Sequence, residues 1–258
     1  MTYSQQHSLL FNELVNYSFI INGKSKTEFQ TSGTGTILKY KDKFYLTTNF
    51  HVLTGKDYKT NEKFSQLKDT NIAISIMFQN ADKKSKFIPI IYPIYDSKGN
   101  KLFETFMFQN QMIDISVMPI VVPENVLKSF FEINDFDTSW KYAPNKMLFI
   151  FGFPHGKFMN SWQPSVLSAN TVSNTQAGEF IYDPYVFFDQ QPIGGMSGAP
   201  VYILDSENKI KFLSVVSNIV DDNPKIKGRS IYSLCALQLI KKMYEDKISS
   251  VIGEEYKY

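Results

Sequence analysis

The sequence predicts an all-β protein of two six-stranded antiparallel β-barrels, with a short N-terminal helix and a C-terminal helix. Short apolar runs separated by polar turns recur from residue 29 to 120 and again from 147 to 219, a pattern typical of antiparallel strands. The chain has 258 residues, of which 43% are hydrophobic and 15% aromatic. It is therefore long enough and apolar enough to bury one large core or two small ones.

Five segments follow from this pattern. They are an N-terminal helix and strand (1–28), a first barrel (29–122), a crossover (123–145), a second barrel (146–232) and a C-terminal helix and tail (233–258). In the first segment we expect an amphipathic helix at 4–14 and a strand at 15–21. In the last segment, the spacing of Leu234, Leu237 and Ile240 indicates a helix over residues 233–248.

The first barrel begins with a predicted hairpin. Apolar runs at 33–40 and 44–48 flank the polar turn at 41–43. The remaining strands of this barrel are predicted at 72–78, 87–94, 103–108 and 113–120. The polar stretch 56–70 shows no period and reads as a surface loop, and residues 123–131 in the crossover are compatible with a short helix.

The second barrel is assembled from five further apolar runs. They lie at 147–151, 165–172, 180–188, 200–204 and 210–219. The polar residues 205–208 separate the last two runs and predict a hairpin turn.

Charge and cysteine content narrow the possible partners. The net charge is +2, from 27 basic and 25 acidic residues, so neither nucleic acid nor an anionic membrane surface is expected to bind. A single cysteine, Cys235, excludes an internal disulfide and favours a reducing compartment, and its place on the C-terminal helix predicts a buried, inert thiol. The first residues lack the pattern of a signal peptide and no apolar run reaches the ~18 residues of a membrane span, so we expect a cytoplasmic protein.

The stretch from Asp189 to Val201 carries the clearest sign of chemistry. Its three glycines free the backbone to turn tightly around Ser197. Such a turn can expose the serine hydroxyl and aim the N–H groups of Gly195 and Ser197 at one point, as an oxyanion hole requires. Taken alone, the stretch favours a nucleophilic serine only modestly over a glycine-rich hairpin that carries a surface serine.

A serine hydroxyl needs a base beside it, and the base needs a group that orients it. His51 ends an apolar run of strand composition, and Asp114 opens another strand. The order His, Asp, Ser along the chain is one that catalytic triads use. Asp96 is the rival acid, but no alternating strand follows it, and His155 is the rival base, but it lies between Pro154 and Gly156 in a turn.

The flanking residues make these three positions more specific. The sequences TTNFHV at 47–52, DISV at 114–117 and GMSGAPV at 195–201 resemble the three motifs of trypsin-like serine peptidases. Further likeness lies in GTGTIL at 33–38, FIFGFP at 149–154 and GRSIY at 228–232, and it points to the short bacterial branch without a PDZ domain. The resemblance runs from about residue 30 to 245 and implies the chymotrypsin fold.

The resemblance also implies roles for individual residues. His51, Asp114 and Ser197 would form the catalytic triad of an endopeptidase that works through an acyl-enzyme, and Gly195 and Ser197 would form the oxyanion hole. Gln191 would be the floor of the primary specificity pocket, and Ser214 and Val216 would belong to its wall. This pocket would be shallow and suited to a small or medium uncharged residue.

The resemblance implies a protein or peptide substrate, a possible regulatory protein partner, and neither a cofactor nor a metal. Met196 stands where the animal enzymes have an aspartate that pairs with a new amino terminus. Because a thioether cannot form that ion pair, we expect activity without such processing.

Two other classes of function were weighed. A catalytically silent barrel that binds peptides, or one that a partner activates, remains the alternative to an active peptidase. An α/β-hydrolase needs a histidine after its serine, and the last histidine here is His155, which nearly removes that class.

Overall fold

A computed structural model of the chain describes residues 14–82, 87–127, 130–133, 145–156, 164–172, 184–204, 210–220 and 225–256. The strands of its first sheet are β1 (Ser18–Lys24), β2 (Phe29–Tyr40), β3 (Lys43–Thr48), β4 (Ala73–Gln79), β5 (Phe87–Pro93), β6 (Glu104–Phe108), β7 (Gln111–Ile120), β8 (Phe131–Glu132) and β15 (Glu254–Glu255). Those of the second are β9 (Met147–Gly152), β10 (Ser165–Asn170), β11 (Tyr185–Phe188), β12 (Pro200–Leu204), β13 (Ile210–Ile219) and β14 (Gly228–Tyr232). The predicted all-β class with two antiparallel sheets is confirmed.

The first sheet runs in the order β15-β5-β4-β1-β2-β3-β7-β6 and has nine strands, counting β8, which pairs with β2. The expectation of about six strands is exceeded because the chain tail returns to add β15 against β5, and the crossover adds β8 in parallel to β2. The second sheet has six strands, as expected, in the order β10-β9-β12-β13-β14-β11.

Two α-helices lie wholly within the described ranges. Helix α1 spans Phe50–Thr54 directly after β3, and helix α2 spans Ser233–Glu245 directly after β14. Helix α2 ends three residues before the predicted end, where Asp246 caps it. Single turns of 3₁₀ helix occur at Val15–Tyr17 and Pro154–Gly156. No helix in the described part of the chain combines the length and apolar character needed to cross a membrane.

Some predicted elements differ or lie elsewhere. The first strand begins at Ser18, three residues later than expected, because a 3₁₀ turn precedes it. In the crossover, residues 121–127 contain a turn and a bridge from Val126 to Asn80 in place of helix. The predicted N-terminal helix, apart from its last residue, and the hairpin turn at 205–208 lie outside the described residues.

The apolar side chains form three clusters. One fills the first sheet and one the second, and a third lies between them. The third cluster brings together Leu38 and Ile115 of the first sheet, Phe151 and Val215 of the second, and Ile240 of α2. Each buried side chain of this size contributes about 1.5–3 kcal/mol, so this shared cluster holds the two sheets against each other. The candidate site lies where the two sheets meet.

Candidate active site

A histidine and a buried carboxylate form the first half of the site. The side chain of His51 projects from α1, and its Nδ1 lies 2.7 Å from Oδ2 of Asp114 on β7. The backbone N–H of His51 also donates to Asp114 Oδ1, over 3.2 Å. The Asp114 side chain is only 1% exposed, whereas that of His51 is 20% exposed. The carboxylate is thus buried behind an imidazole that solvent can reach.

Two more donors hold Asp114 in place. The hydroxyl of Ser217 on β13 donates to Asp114 Oδ2 over 3.3 Å. The side-chain amide of Asn49 donates to the main-chain oxygen of Asp114 over 2.6 Å. The carboxylate thus contacts both nitrogens of His51 named above and the Ser217 hydroxyl, as a buried polar group requires, while Asn49 holds the main chain of Asp114.

Opposing effects act on the pKa of His51. Burial lowers it, whereas the negative charge of Asp114, the hydrogen bond to it, and the more distant charge of Asp57 raise it. The raising effects prevail, so the pKa of His51 lies above its usual value of 6.5. The imidazole is therefore a stronger base than a free histidine and holds a proton more firmly.

The glycine-rich stretch turns twice around Ser197. The N–H of Met196 donates to the carbonyl of Ile193 over 3.0 Å, and Gly195, third in this turn, has φ of 93°. Positive φ at that position is what a type II turn requires. Gly198 has φ of 84°, and a Cβ there would lie 1.9 Å from the Thr34 carbonyl oxygen. Glycine is thus needed beside Ser197 both for its conformation and for lack of space.

The loop that carries Ser197 is tied to both sheets. The carbonyl of Ser197 accepts a hydrogen bond from the N–H of Thr34 on β2 over 2.8 Å. The N–H of Gly198 donates to the carbonyl of Val216 on β13 over 2.9 Å. Val216 precedes Ser217, which contacts the buried carboxylate. The structure therefore joins the serine loop to the strand that also supports Asp114.

Two backbone N–H groups of this loop remain available. Within the described ranges, the N–H groups of Gly195 and Ser197 donate to no acceptor of the protein. Both residues are half-buried. These groups can therefore donate to a bound molecule.

Thr34 supports the loop from the first sheet. Its hydroxyl donates to the carbonyl of Gly195 over 2.9 Å and accepts from the N–H of Phe153 over 3.1 Å. Thr34 is fully buried, and Met196 is 1% exposed within the apolar cluster of the second sheet. The Thr34 hydroxyl and the buried Met196 side chain thus hold this loop against the two sheets.

The rival residues have other roles. Asp96 caps its own turn, since its Oδ1 accepts from the N–H groups of Lys98 and Asn100. His155 is exposed, has φ of 56°, and donates its backbone N–H to the carbonyl of Gly194. It therefore lies against the serine loop, but among the described residues it forms no hydrogen bond or ion pair with Asp114 or Ser197.

The residues predicted for the specificity pocket differ in exposure. Ser214 is fully buried and its hydroxyl pairs with that of Ser230 over 2.7 Å, and Val216 is 1% exposed. Their side chains are enclosed within the sheet, so a pocket wall at these residues would be formed by their backbone. The strand β13 shifts register between Val216 and Asn218, and Ser217, the extra residue, contacts Asp114. Gln191, the predicted floor, is exposed.

Sequence reasoning missed Ser217 and Thr34. Ser214 and Ser217 stand three residues apart, and from the sequence either serine could be assigned to the strand beside the specificity pocket. Only the contact with Asp114 distinguishes them. Thr34 was part of a recognised glycine-containing strand, but its contact with Gly195 spans 161 residues of sequence. No local signal could have revealed it.

Solved structures resemble this fold. The serine endoprotease from Yersinia pestis is 14% identical, with a TM-score of 0.55 over 92% of this chain and 68% of that one. The Rv3671c protease in an inactive form is 16% identical, with a TM-score of 0.49 over 90% of this chain and 94% of that one. No protein-family model and no curated protein matches the sequence. The chain therefore has the trypsin-like, two-barrel fold of a bacterial serine endoprotease.

Proposed function

We propose that this protein is a serine endopeptidase in which Ser197 is the nucleophile, His51 the general base and Asp114 the group that orients it. The observation that carries this proposal is the 2.7 Å contact between His51 Nδ1 and the buried Asp114 carboxylate. This contact fixes the proton on Nδ1 and leaves Nε2 free to accept a proton. The fold of the Yersinia pestis endoprotease supports the same reading.

The reaction proceeds in two halves. Ser197 Oγ attacks the carbonyl carbon of the peptide while its proton passes to Nε2 of His51. The C–N bond then breaks, the proton passes to the leaving amine, and an ester on Ser197 remains. Water, deprotonated by His51, attacks this ester, releases the acid product and restores the serine hydroxyl.

The serine loop would stabilise the charge that develops on the carbonyl oxygen. Gly195 and Ser197 have N–H groups with no acceptor in the described part of the protein. A negative oxygen between two such donors is stabilised most when it is fully formed, so these groups lower the barrier rather than tighten substrate binding.

A fluorophosphonate probe tests this assignment. We expect the wild-type protein to be labelled at Ser197, and Ser197→Ala and His51→Ala to escape labelling. Ser214→Ala is a matched control because it removes a buried serine hydroxyl of the second sheet and should leave labelling intact. Asp114→Asn should lower kcat on a peptide by up to about 10⁴-fold. An unlabelled wild-type protein that still binds peptides would establish the silent-barrel alternative instead.

A further inference from the structure

The chain contains a single arginine among its 27 basic residues, and this arginine lies beside the candidate active site. Arg229 is on β14 and is the cross-strand partner of Asn218 on β13. Asn218 directly follows Ser217, whose hydroxyl contacts Asp114. The position is therefore one residue along the sheet from the support of the catalytic carboxylate.

Three neighbours hold the Arg229 side chain in one plane. Its guanidinium lies 4.4 Å from the centre of the Tyr185 ring, and Nη2 donates to the hydroxyl of Tyr58 over 3.3 Å. The side-chain amide of Asn218 can be oriented so that both its oxygen and its nitrogen form hydrogen bonds. In this orientation the oxygen accepts from Nη2 of Arg229 over 3.0 Å and the nitrogen donates to the Ser217 carbonyl. Stacking and hydrogen bonding together immobilise the charged group before any ligand arrives.

Arg229 forms no ion pair with an acidic side chain of the described residues. The ion pairs found there involve Lys39, His51 and Lys68. Asp57, the acidic neighbour of Tyr58, accepts instead from the backbone N–H groups of Lys59 and Thr60. Nε of Arg229 is enclosed without an acceptor, whereas Nη1 is not enclosed. Because Nη2 already donates to Tyr58 and Asn218 and Nε is enclosed, Nη1 is the nitrogen that can donate charge-assisted hydrogen bonds to a carboxylate.

The adjacent strand offers a place for a peptide. Strand β13 pairs with β12 as far as Val215, and Val216 still bonds to Ala199. From Ser217 to Ile219, β14 is the only strand beside it in the described part of the chain. An extended peptide that pairs with this open edge would pass Asn218 and bring its side chains near Arg229.

We propose that Arg229, with Tyr58, Tyr185 and Asn218, forms a subsite for a carboxylate of the substrate. It selects peptides with aspartate or glutamate two to four residues before the scissile bond. This inference rests on the proposed peptidase function, but it concerns a position outside the primary pocket. It assigns to the only arginine a task that the many lysines would perform less well, because a guanidinium can be held through Nη2 and the Tyr185 ring while Nη1 stays available, whereas an ammonium group has a single nitrogen.

The test compares peptides that differ only in charge. A peptide library, varied at each of the four positions before the scissile bond, first identifies a sequence that the protein cleaves. This sequence is then synthesised in pairs that carry Glu or Gln at one of these positions. Wild-type protein should prefer Glu over Gln by about 10- to 100-fold in kcat/KM at one of the three distal positions, as a charged hydrogen bond implies. The preference should weaken as salt is added.

Variants locate the source of the preference. Arg229→Gln should cleave the Glu and Gln peptides within about twofold of each other, and Arg229→Lys should retain part of the preference. Lys241→Gln removes the same charge from an exposed position on α2 and should keep the wild-type preference. Tyr58→Phe removes one support of the guanidinium and should weaken the preference without abolishing it.

The outcomes separate this inference from the proposed function. Cleavage without any preference for acidic residues, or a preference that persists in Arg229→Gln, overturns the subsite and leaves the peptidase assignment intact. Failure of probe labelling and of all cleavage overturns the peptidase. Binding of the same Glu and Gln peptides to Ser197→Ala, measured by fluorescence anisotropy, then still decides whether Arg229 recognises a carboxylate. Melting temperatures of all variants identify any that fail to fold.

Discussion

The substitution Thr34→Val tests how the serine loop is kept in position. Valine has nearly the same shape as threonine but lacks the hydroxyl that joins Gly195 to Phe153. Thr34 is fully buried, so no water replaces the lost group without rearrangement. The variant therefore removes two hydrogen bonds at the candidate active site and changes little else.

The expected magnitudes follow from these contacts. The variant removes one hydrogen bond to the Gly195 carbonyl and one from the Phe153 N–H, and at about 0.5–1.5 kcal/mol each the loss is about 1–3 kcal/mol of unfolding free energy. For a chain of this size, that corresponds to a fall in melting temperature of roughly 2–12 °C. Gly195 loses the donor that holds its carbonyl, so its own N–H is less well oriented, and kcat should fall about 10- to 10³-fold.

Thr36→Val is the matched control. Thr36 lies two residues along β2, is also fully buried, and donates its hydroxyl to the carbonyl of Tyr17 over 2.9 Å. It should lose comparable stability and leave kcat nearly unchanged, since its partner is remote from the serine loop. Peptide hydrolysis and the rate of fluorophosphonate labelling are measured at a temperature where both variants are folded. If Thr34→Val loses no more kcat than Thr36→Val, Thr34 does not position the loop.

Three further predictions concern the titration of His51, the hydrogen bond from Ser217 to Asp114, and the reactivity of Cys235. Because the raised pKa of His51 keeps it protonated to higher pH, kcat/KM should fall as pH drops through a value above 6.5, and Asp57→Asn should move this midpoint to lower pH by removing one charge that raises the pKa. An unmoved midpoint in a pH–rate profile would contradict that effect. Ser217→Ala should lower kcat about tenfold, because it removes a hydrogen bond to the Asp114 carboxylate, whereas Ser214→Ala should leave kcat unchanged. Equal losses of kcat in steady-state assays would refute the role of Ser217 in supporting Asp114. Cys235 is 5% exposed and burial raises the pKa of its thiol to about 12, so it should react with a thiol reagent only after denaturation; prompt reaction in native buffer would show that α2 detaches.

Local patterns were sufficient for most of the strands. The run predicted at 87–94 is observed as Phe87–Pro93, and that at 210–219 as Ile210–Ile219. Such runs are read correctly because alternation and bounding turn residues are properties of the segment itself. Helix α1 was not predicted, since its five residues are too few to establish a helical period, and the sequence placed His51 at the end of a strand.

Contacts between distant segments were beyond local patterns. Ser217 and Asp114 are separated by 103 residues, and Arg229 and Tyr58 by 171. The register shift in β13 leaves Ser217 as one extra residue between Val216 and Asn218, which hydrophobic alternation does not reveal.

By itself, the sequence determined that the chain is all-β and that a histidine, an aspartate and a glycine-flanked serine stand in the order a triad uses. It could do so because strand alternation and the glycines at a tight turn are written in neighbouring residues. The tertiary structure decided which hydroxyl supports Asp114, which side chain holds the serine loop, and where the only arginine lies. These are properties of hydrogen bonds and stacking across sheets, which exist only once residues far apart in sequence are packed together.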